Sequence, residues 1–177
     1  MKVYISGGCK NGKSSTAQDL SKKMWVPDTP LYYLATMIPL DSEDEARISL
    51  HQQEREGFGF ETIEAGKDIL LAVDNCDKRG TFLLDSVTAL LANEMFAPDG
   101  RVEPEAYKKI SGDLMRFLSQ VSNAVIVSDY IYSDAFLYDK LTEAYMRGLA
   151  YVDRQIAGIC DVVIEACVGI NIIHKGM

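Results

Sequence analysis

The chain has 177 residues and a formal net charge of −8, with 47% hydrophobic and 25% charged residues. That size and balance fit a single domain, residues 1–177, with a full core of its own. The acidic excess argues against nucleic acid or an anionic membrane surface as the main partner.

Lys2-Val3-Tyr4-Ile5-Ser6 reads as a short apolar strand. It leads into Gly7-Gly8-Cys9-Lys10-Asn11-Gly12-Lys13-Ser14, which fits the phosphate-loop pattern G-x-x-x-x-G-K-[ST] at every fixed position. A helix is predicted over 13–24. Glycines let such a loop curl its N–H groups toward a phosphate chain, and the helix N-terminus concentrates positive potential there. Lys13 would reach the β- and γ-phosphates and the Ser14 hydroxyl would ligate Mg²⁺. A nucleoside triphosphate, GTP or ATP, is therefore the expected ligand. Cys9 inside the loop is either a thiolate favoured by the N–H groups or a small filler residue, and the second is preferred. Cys9, Cys76, Cys160 and Cys167 show no metal-binding spacing and read as reduced thiols. No basic-then-apolar leader precedes the first strand, and no apolar run nears the ~20 residues of a membrane span. A cytoplasmic protein is expected.

Pro27 and Pro30 punctuate the first loop, and Leu31-Tyr32-Tyr33-Leu34-Ala35-Thr36 follows as a second strand. A helix is predicted over 42–56. On it Glu43, Arg47, His51 and Arg55 recur every four residues and form one stripe. His51 then sits one turn from an arginine on each side. Two cations favour the neutral, nucleophilic imidazole, and they could hold a triphosphate against it. From spacing alone, a solvated helix laced with i,i+4 pairs is the better explanation of the stripe. The apolar residues of this segment do not align, so it is expected to lie over a site and not in the core.

The remaining strands are predicted at 60–64, 81–85, 124–129, 161–167 and 170–174, with helices over 66–74, 86–96, 104–122 and 134–158. Apolar strands alternating with helices indicate an α/β fold with a parallel sheet covered on both faces. The last two strands, joined through Gly169, form an antiparallel hairpin at one edge. Ligands gather at the carboxyl ends of such strands, which singles out Thr36, Asp85, Ser128 and Asp129. An acid ending a second strand commonly holds Mg²⁺ in phosphate-loop enzymes. Asp85 is the first choice and Asp129 the second, and a helix-capping role competes for Asp85. Lys10, Arg147 and Arg154 are further candidate phosphate contacts, with a surface role as the default for both arginines. Tyr130, Tyr132 and Tyr138 could wall a bulky substrate, or could equally be core or interface residues. A structural role is expected for His174.

Several segments together resemble the bifunctional adenosylcobinamide kinase / adenosylcobinamide-phosphate guanylyltransferase family of cobalamin biosynthesis. The phosphate loop looks like its G-G-x-x-x-G-K-S opening. Tyr33-Leu34-Ala35-Thr36 is similar to its Y-I-A-T strand, and Ala46-Arg47-Ile48-x-x-His51-x-x-x-Arg55 to its A-R-I-x-x-H-x-x-x-R segment. Phe60-x-Thr62-x-Glu64 is similar to W-x-T-x-E, and Leu83-Leu84-Asp85-Ser86-Val87-Thr88 to L-L-[DE]-x-[IVL]-T. The resemblance implies a P-loop NTPase with a RecA-like sheet, and a homotrimer. It implies two reactions: phosphorylation of adenosylcobinamide by a nucleoside triphosphate, then transfer of GMP from GTP through a guanylyl-histidine. His51 and Lys13 are its catalytic residues. The loop 7–14, Ala35, Thr36, Met37, Gln52, Gln53, Glu54, Arg55, Glu64 and Asp85 would contact guanine nucleotide. Glu64 or Asp85 would accept from the guanine edge or hold the metal. The resemblance breaks after residue 129. The family reads N-E-V-G-x-G-x-V-P there, and this chain has Asp129-Tyr130-Ile131-Tyr132-Ser133-Asp134-Ala135. Asp153-Arg154-Gln155 stands where the family tends to have Asn-Gln-Arg. A monofunctional small-molecule kinase and a GTP-binding regulatory protein of the same fold are the alternative readings.

Overall fold

The computed structural model of the chain describes residues 1–39 and 41–176, without the side chains of Arg47, His51 and Glu54. Among these residues the strands are β1 (Lys2–Gly7), β2 (Leu31–Ala35), β3 (Glu61–Glu64), β4 (Thr81–Asp85), β5 (Asn123–Asp129), β6 (Val162–Cys167) and β7 (Ile170–Lys175). They form one sheet in the order β3-β2-β4-β5-β1-β6-β7. Neighbours are parallel except β6 and β7. The helices are α1 (Lys13–Met24), α2 (Ser42–Glu54), α3 (Ile69–Ala72), α4 (Val87–Met95), α5 (Ala106–Gln120) and α6 (Lys140–Ile159).

Strand alternation sorts the core into two layers. Val3, Ile5, Leu83, Val125 and Val127 face α1, where Ala17 packs on them. Tyr4, Leu34, Phe82, Leu84 and Ile126 face the other way, onto α3 to α6. There α5 presents Ile110, Leu114, Phe117 and Leu118, the i, i+4, i+7, i+8 pattern of a helix with one apolar face. α6 buries Leu149, Val152 and Ile156 on the same side, together with one acid, Asp153. No helix among the described residues is long and apolar enough to cross a membrane.

Two helices differ markedly from the sequence expectation. The last long helix begins at Lys140 and not near 134, because Asp139 caps it by accepting from the N–H groups of Leu141 and Thr142 at 2.8 and 3.1 Å. The helix expected over 66–74 shrinks to the single turn of α3, preceded by Asp68 at φ 47°. β7 closes the predicted hairpin, but its edge is bare: Ile170, Ile172 and Ile173 are all exposed.

The parallel strands all end on one side, and α1 lies across β4 and β5. This brings the phosphate loop, Asp85 and Asp129 to one edge of the sheet. By contrast, α2 packs only lightly on the remainder, with Leu50 exposed, as its weak apolar stripe leads one to expect.

Candidate active site

Gly7 ends β1 so close to β6 that a Cβ there would meet the Ala166 carbonyl oxygen at 2.3 Å. Only glycine fits this approach. Gly12, at φ 79°, turns the chain into α1 in the left-handed region that glycine adopts without strain. Between them the loop is tied back to the sheet: the Asn11 side chain donates to Ala166 O at 3.4 Å. Lys13 is buried, and its Nζ donates to Gly8 O at 2.6 Å and pairs with Asp129 at 2.8 Å. Asp129 stands level with Gly7 in the β1–β5 register. The second-choice acid of the sequence is thus the partner of the loop lysine.

The first-choice acid has other neighbours. Asp85 Oδ2 accepts from the Tyr33 hydroxyl at 3.1 Å. Burial, and then the Asp85 carboxylate, push the Tyr33 phenol well above its ordinary pKa. The Arg55 guanidinium stacks on the Tyr33 ring at 4.1 Å and donates to Thr62 Oγ1 at 3.3 Å. Phe60 meets the same ring edge-on at 5.8 Å. Tyr33 is therefore the hub that joins β2, β4, the end of α2 and β3, a site role that the sequence reading does not assign to it. A signal for it exists: a tyrosine in the strand motif, alternating onto the same face as Leu83 and Asp85.

These residues surround a cavity of about 260 Å³. Of the sequence candidates, Ala35, Met37, Gln52, Arg55, Glu64 and Asp85 line it, joined by Tyr33, Ile48 and Ser86. An open groove of about 460 Å³ adjoins it and shares Gln52, Arg55 and Glu64. Two acids and one arginine thus border an otherwise largely apolar space. Such a space suits a flat heterocycle whose edge donates hydrogen bonds.

Other candidates fall elsewhere. Thr36 is fully buried; its hydroxyl donates to Ser86 O at 2.9 Å and accepts from Ser86 N at 2.6 Å. It fastens the end of β2 to the turn after β4 and does not line the cavity. Gln53 is exposed and outside the lining. The side chains of His51 and Glu54 lie outside the described residues. Residues 7–14 do not line the cavity either: β4 and β2 stand two and three strands from β1, roughly 10–15 Å along the sheet edge. Arg147 pairs with Glu143 on the surface at 3.4 Å, and Cys9 and Lys10 are exposed on the loop.

Mg²⁺ keeps several waters and takes one or two protein oxygens plus phosphates, so it needs no protein cage. The described residues contain no cluster of three or more potential metal-ligating side chains. Oxygens that could serve it are the Ser14 hydroxyl, half-buried in the first turn of α1, and the acids on the sheet face that α1 covers.

Residues 3–173 match the family model described as cobinamide kinase / cobinamide phosphate guanyltransferase. A bifunctional adenosylcobalamin biosynthesis protein of Salmonella typhimurium is 32% identical over 110 residues, covering 60% of this chain and 57% of that one. Its Escherichia coli namesake is 31% identical over the same shares. The alignment therefore spans little more than half the length of these curated relatives. Among solved structures, an ATPase domain superposes with a TM-score of 0.52 at 15% identity, covering 93% of this chain and 68% of that one. A Pyrococcus horikoshii OT3 protein reaches 0.57 at 6% identity, covering 99% and 86%. These likenesses agree with a P-loop NTPase fold.

Proposed function

Since the chain belongs to the cobinamide kinase / cobinamide phosphate guanyltransferase family, we propose that it phosphorylates adenosylcobinamide and then transfers GMP from GTP to the product. The observation that carries this reading is the pairing of two sites on one sheet edge. One is a phosphate loop with a buried lysine, and the other is a separate acid- and arginine-bordered cavity against α2.

In the kinase half, the loop N–H groups and Lys13 hold the triphosphate and offset charge on the transferred γ-phosphoryl. Lys13 must exchange Asp129 or Gly8 O for phosphate oxygens. Mg²⁺, when bound with the nucleotide, neutralises charge on the β- and γ-phosphates. Ser14 and Asp85 are the residues proposed to flank it, Asp85 as the acid that ends β4.

In the transferase half, the base of GTP occupies the cavity, with Glu64 or Asp85 accepting from the guanine edge. A His51 ring nitrogen attacks the α-phosphate; a P–N bond forms and the P–O bond to pyrophosphate breaks. A phosphate oxygen of the corrinoid product then displaces the imidazole, re-forming a P–O bond. Helical periodicity supports the assignment, because position 51 lies one turn from Ile48 and from Arg55, and both border the cavity. The homotrimer implied by the family is part of the same proposal, and the apolar edge of β7 supports self-association.

Incubation with adenosylcobinamide and GTP labelled in either the γ- or the α-phosphate tests this. The proposal expects γ-label in a corrinoid phosphate and α-label in a nucleotidyl corrinoid. Label transfer from the γ-position alone would instead establish a monofunctional kinase. Tight binding with no transfer would establish a regulatory protein.

A further inference from the structure

Asp129 pairs with the loop lysine, yet no step described so far uses its carboxylate. Its backbone is held on both sides. Its own N–H donates to Thr88 Oγ1 at 2.8 Å, and the next N–H, of Tyr130, donates to Gly7 O at 2.9 Å. Strand alternation turns the side chain to the face that α1 covers, as it turns Val125 and Val127. There it meets Lys13 Nζ at 2.8 Å, and it is 29% exposed where Lys13 is 6% exposed. A carboxylate on a fixed backbone, open to solvent on one side, thus stands at the rim of the phosphate loop.

The neighbouring acids are placed less well. Asp85 ends β4 level with Val127, one strand across and two residues back from Asp129. That separates their Cα positions by roughly 8 Å. Glu165 stands level with Ser6 on the face away from α1, where it pairs with His174 at 2.8 Å and lines a cavity behind β1.

Lys13 sets the scale for what Asp129 reaches. An ammonium has three donors, so Lys13 can keep Asp129 and exchange Gly8 O for a phosphate oxygen. Charge-assisted hydrogen bonds run about 2.8 Å, which puts the carboxylate within roughly 6 Å of the γ-phosphate. A hydroxyl that donates to a base at about 3 Å and stands about 3–3.5 Å from phosphorus spans that same distance.

We propose that Asp129 is the general base of the phosphoryl transfer, a role that rests on the kinase reading above. The acceptor hydroxyl donates to the Asp129 carboxylate, which aims the oxygen lone pair at the γ-phosphorus. A bond forms between that oxygen and phosphorus, and the P–O bond to the β-phosphate breaks. The hydroxyl proton passes to Asp129, and the nucleoside diphosphate leaves with the bonding pair. The exposed side of Asp129 then returns the proton to solvent.

Single-turnover transfer from γ-labelled nucleotide to adenosylcobinamide, with nucleotide and acceptor both saturating, tests this. Asp129→Asn keeps the shape of the side chain but takes up no proton. Its transfer is expected to be about 100-fold slower or more. Mg²⁺–nucleotide is expected to bind it no weaker than the parent in a fluorescent-nucleotide titration, which also shows that the loop is folded. Asp129→Ser, smaller and equally unable to take the proton, is expected to show the same loss. Transfer at the parent rate by either variant, or a loss of Mg²⁺-dependent nucleotide affinity in Asp129→Asn, would overturn the role of Asp129 alone. No transfer by the parent would remove the kinase reading itself, and this role with it.

Discussion

Lys13 holds Gly8 O and the Asp129 carboxylate at once, so in the nucleotide-free arrangement its charge is already engaged inside the protein. Phosphate must compete for it. Lys13→Ala removes the cation altogether, and nucleotide affinity is expected to fall roughly tenfold or more, read by fluorescent-nucleotide titration. Asp129→Asn has the opposite logic: it frees the ammonium, so Mg²⁺-free nucleotide is expected to bind no weaker than to the parent. Asp85→Asn is expected to weaken the Mg²⁺-dependent component by about tenfold. If Asp129→Asn and not Asp85→Asn removes the Mg²⁺ dependence, the two acids exchange roles. Both acids are visible in the sequence as strand ends. Their division of labour is not, because it depends on β5 lying between β4 and β1, and no local pattern encodes strand order.

At the level of elements, α2 is held mainly where its end meets the sheet. Arg55 stacks on Tyr33 and reaches Thr62, while the outer face of the helix stays in solvent. A stacked guanidinium contributes about 0.5–2 kcal/mol. Arg55→Ala is therefore expected to speed amide exchange in α2 while leaving β4 and β5 protected, and GTP is expected to slow α2 exchange only in the parent chain. Uniform exchange across the variant would contradict this local tether. The phosphate loop is anchored differently, by backbone contact with β6. Gly7→Ala puts a methyl on the Ala166 carbonyl and is expected to cost at least about 1–3 kcal/mol in denaturant unfolding.

The elements themselves are largely legible in the sequence. Apolar runs bounded by turn residues locate every strand to within a residue or two, and the charged stripe at 43–55 correctly marks a helix outside the core. What local pattern misses are tertiary effects. Thr36 reads as a ligand contact at a strand end, yet Ser86 claims its hydroxyl. Tyr33 reads only as part of a strand motif, yet it bridges Arg55 and Asp85. Tyr130, Tyr132 and Tyr138 do not form one wall: the first two line the cavity behind β1, while Tyr138 donates to Asp134 at 2.6 Å.

For the molecule as a whole, Asp153 makes stability depend on pH. Its carboxyl is held up to about 7 in the fold against an ordinary value of 3.8. The folded chain therefore keeps a proton that the unfolded chain releases, and this contribution to stability declines as pH rises from about 4 to about 7, then stays flat. The effect is on the order of a few kcal/mol. Asp153→Asn does not titrate there. Its gain in melting temperature over the parent is expected to be several degrees larger at about pH 8 than at about pH 5, as followed by calorimetry. An equal difference at both values would show that the buried carboxyl is not strained by ionisation.

The account rests on His51 taking GMP at the cavity beside α2, apart from the phosphate loop. Peptide mass mapping after incubation with GTP and Mg²⁺ tests this most directly. The expected result is one acid-labile GMP adduct on the peptide carrying His51, absent in His51→Asn although that variant still binds GTP. An adduct on any other residue, or label that persists in His51→Asn, would contradict it.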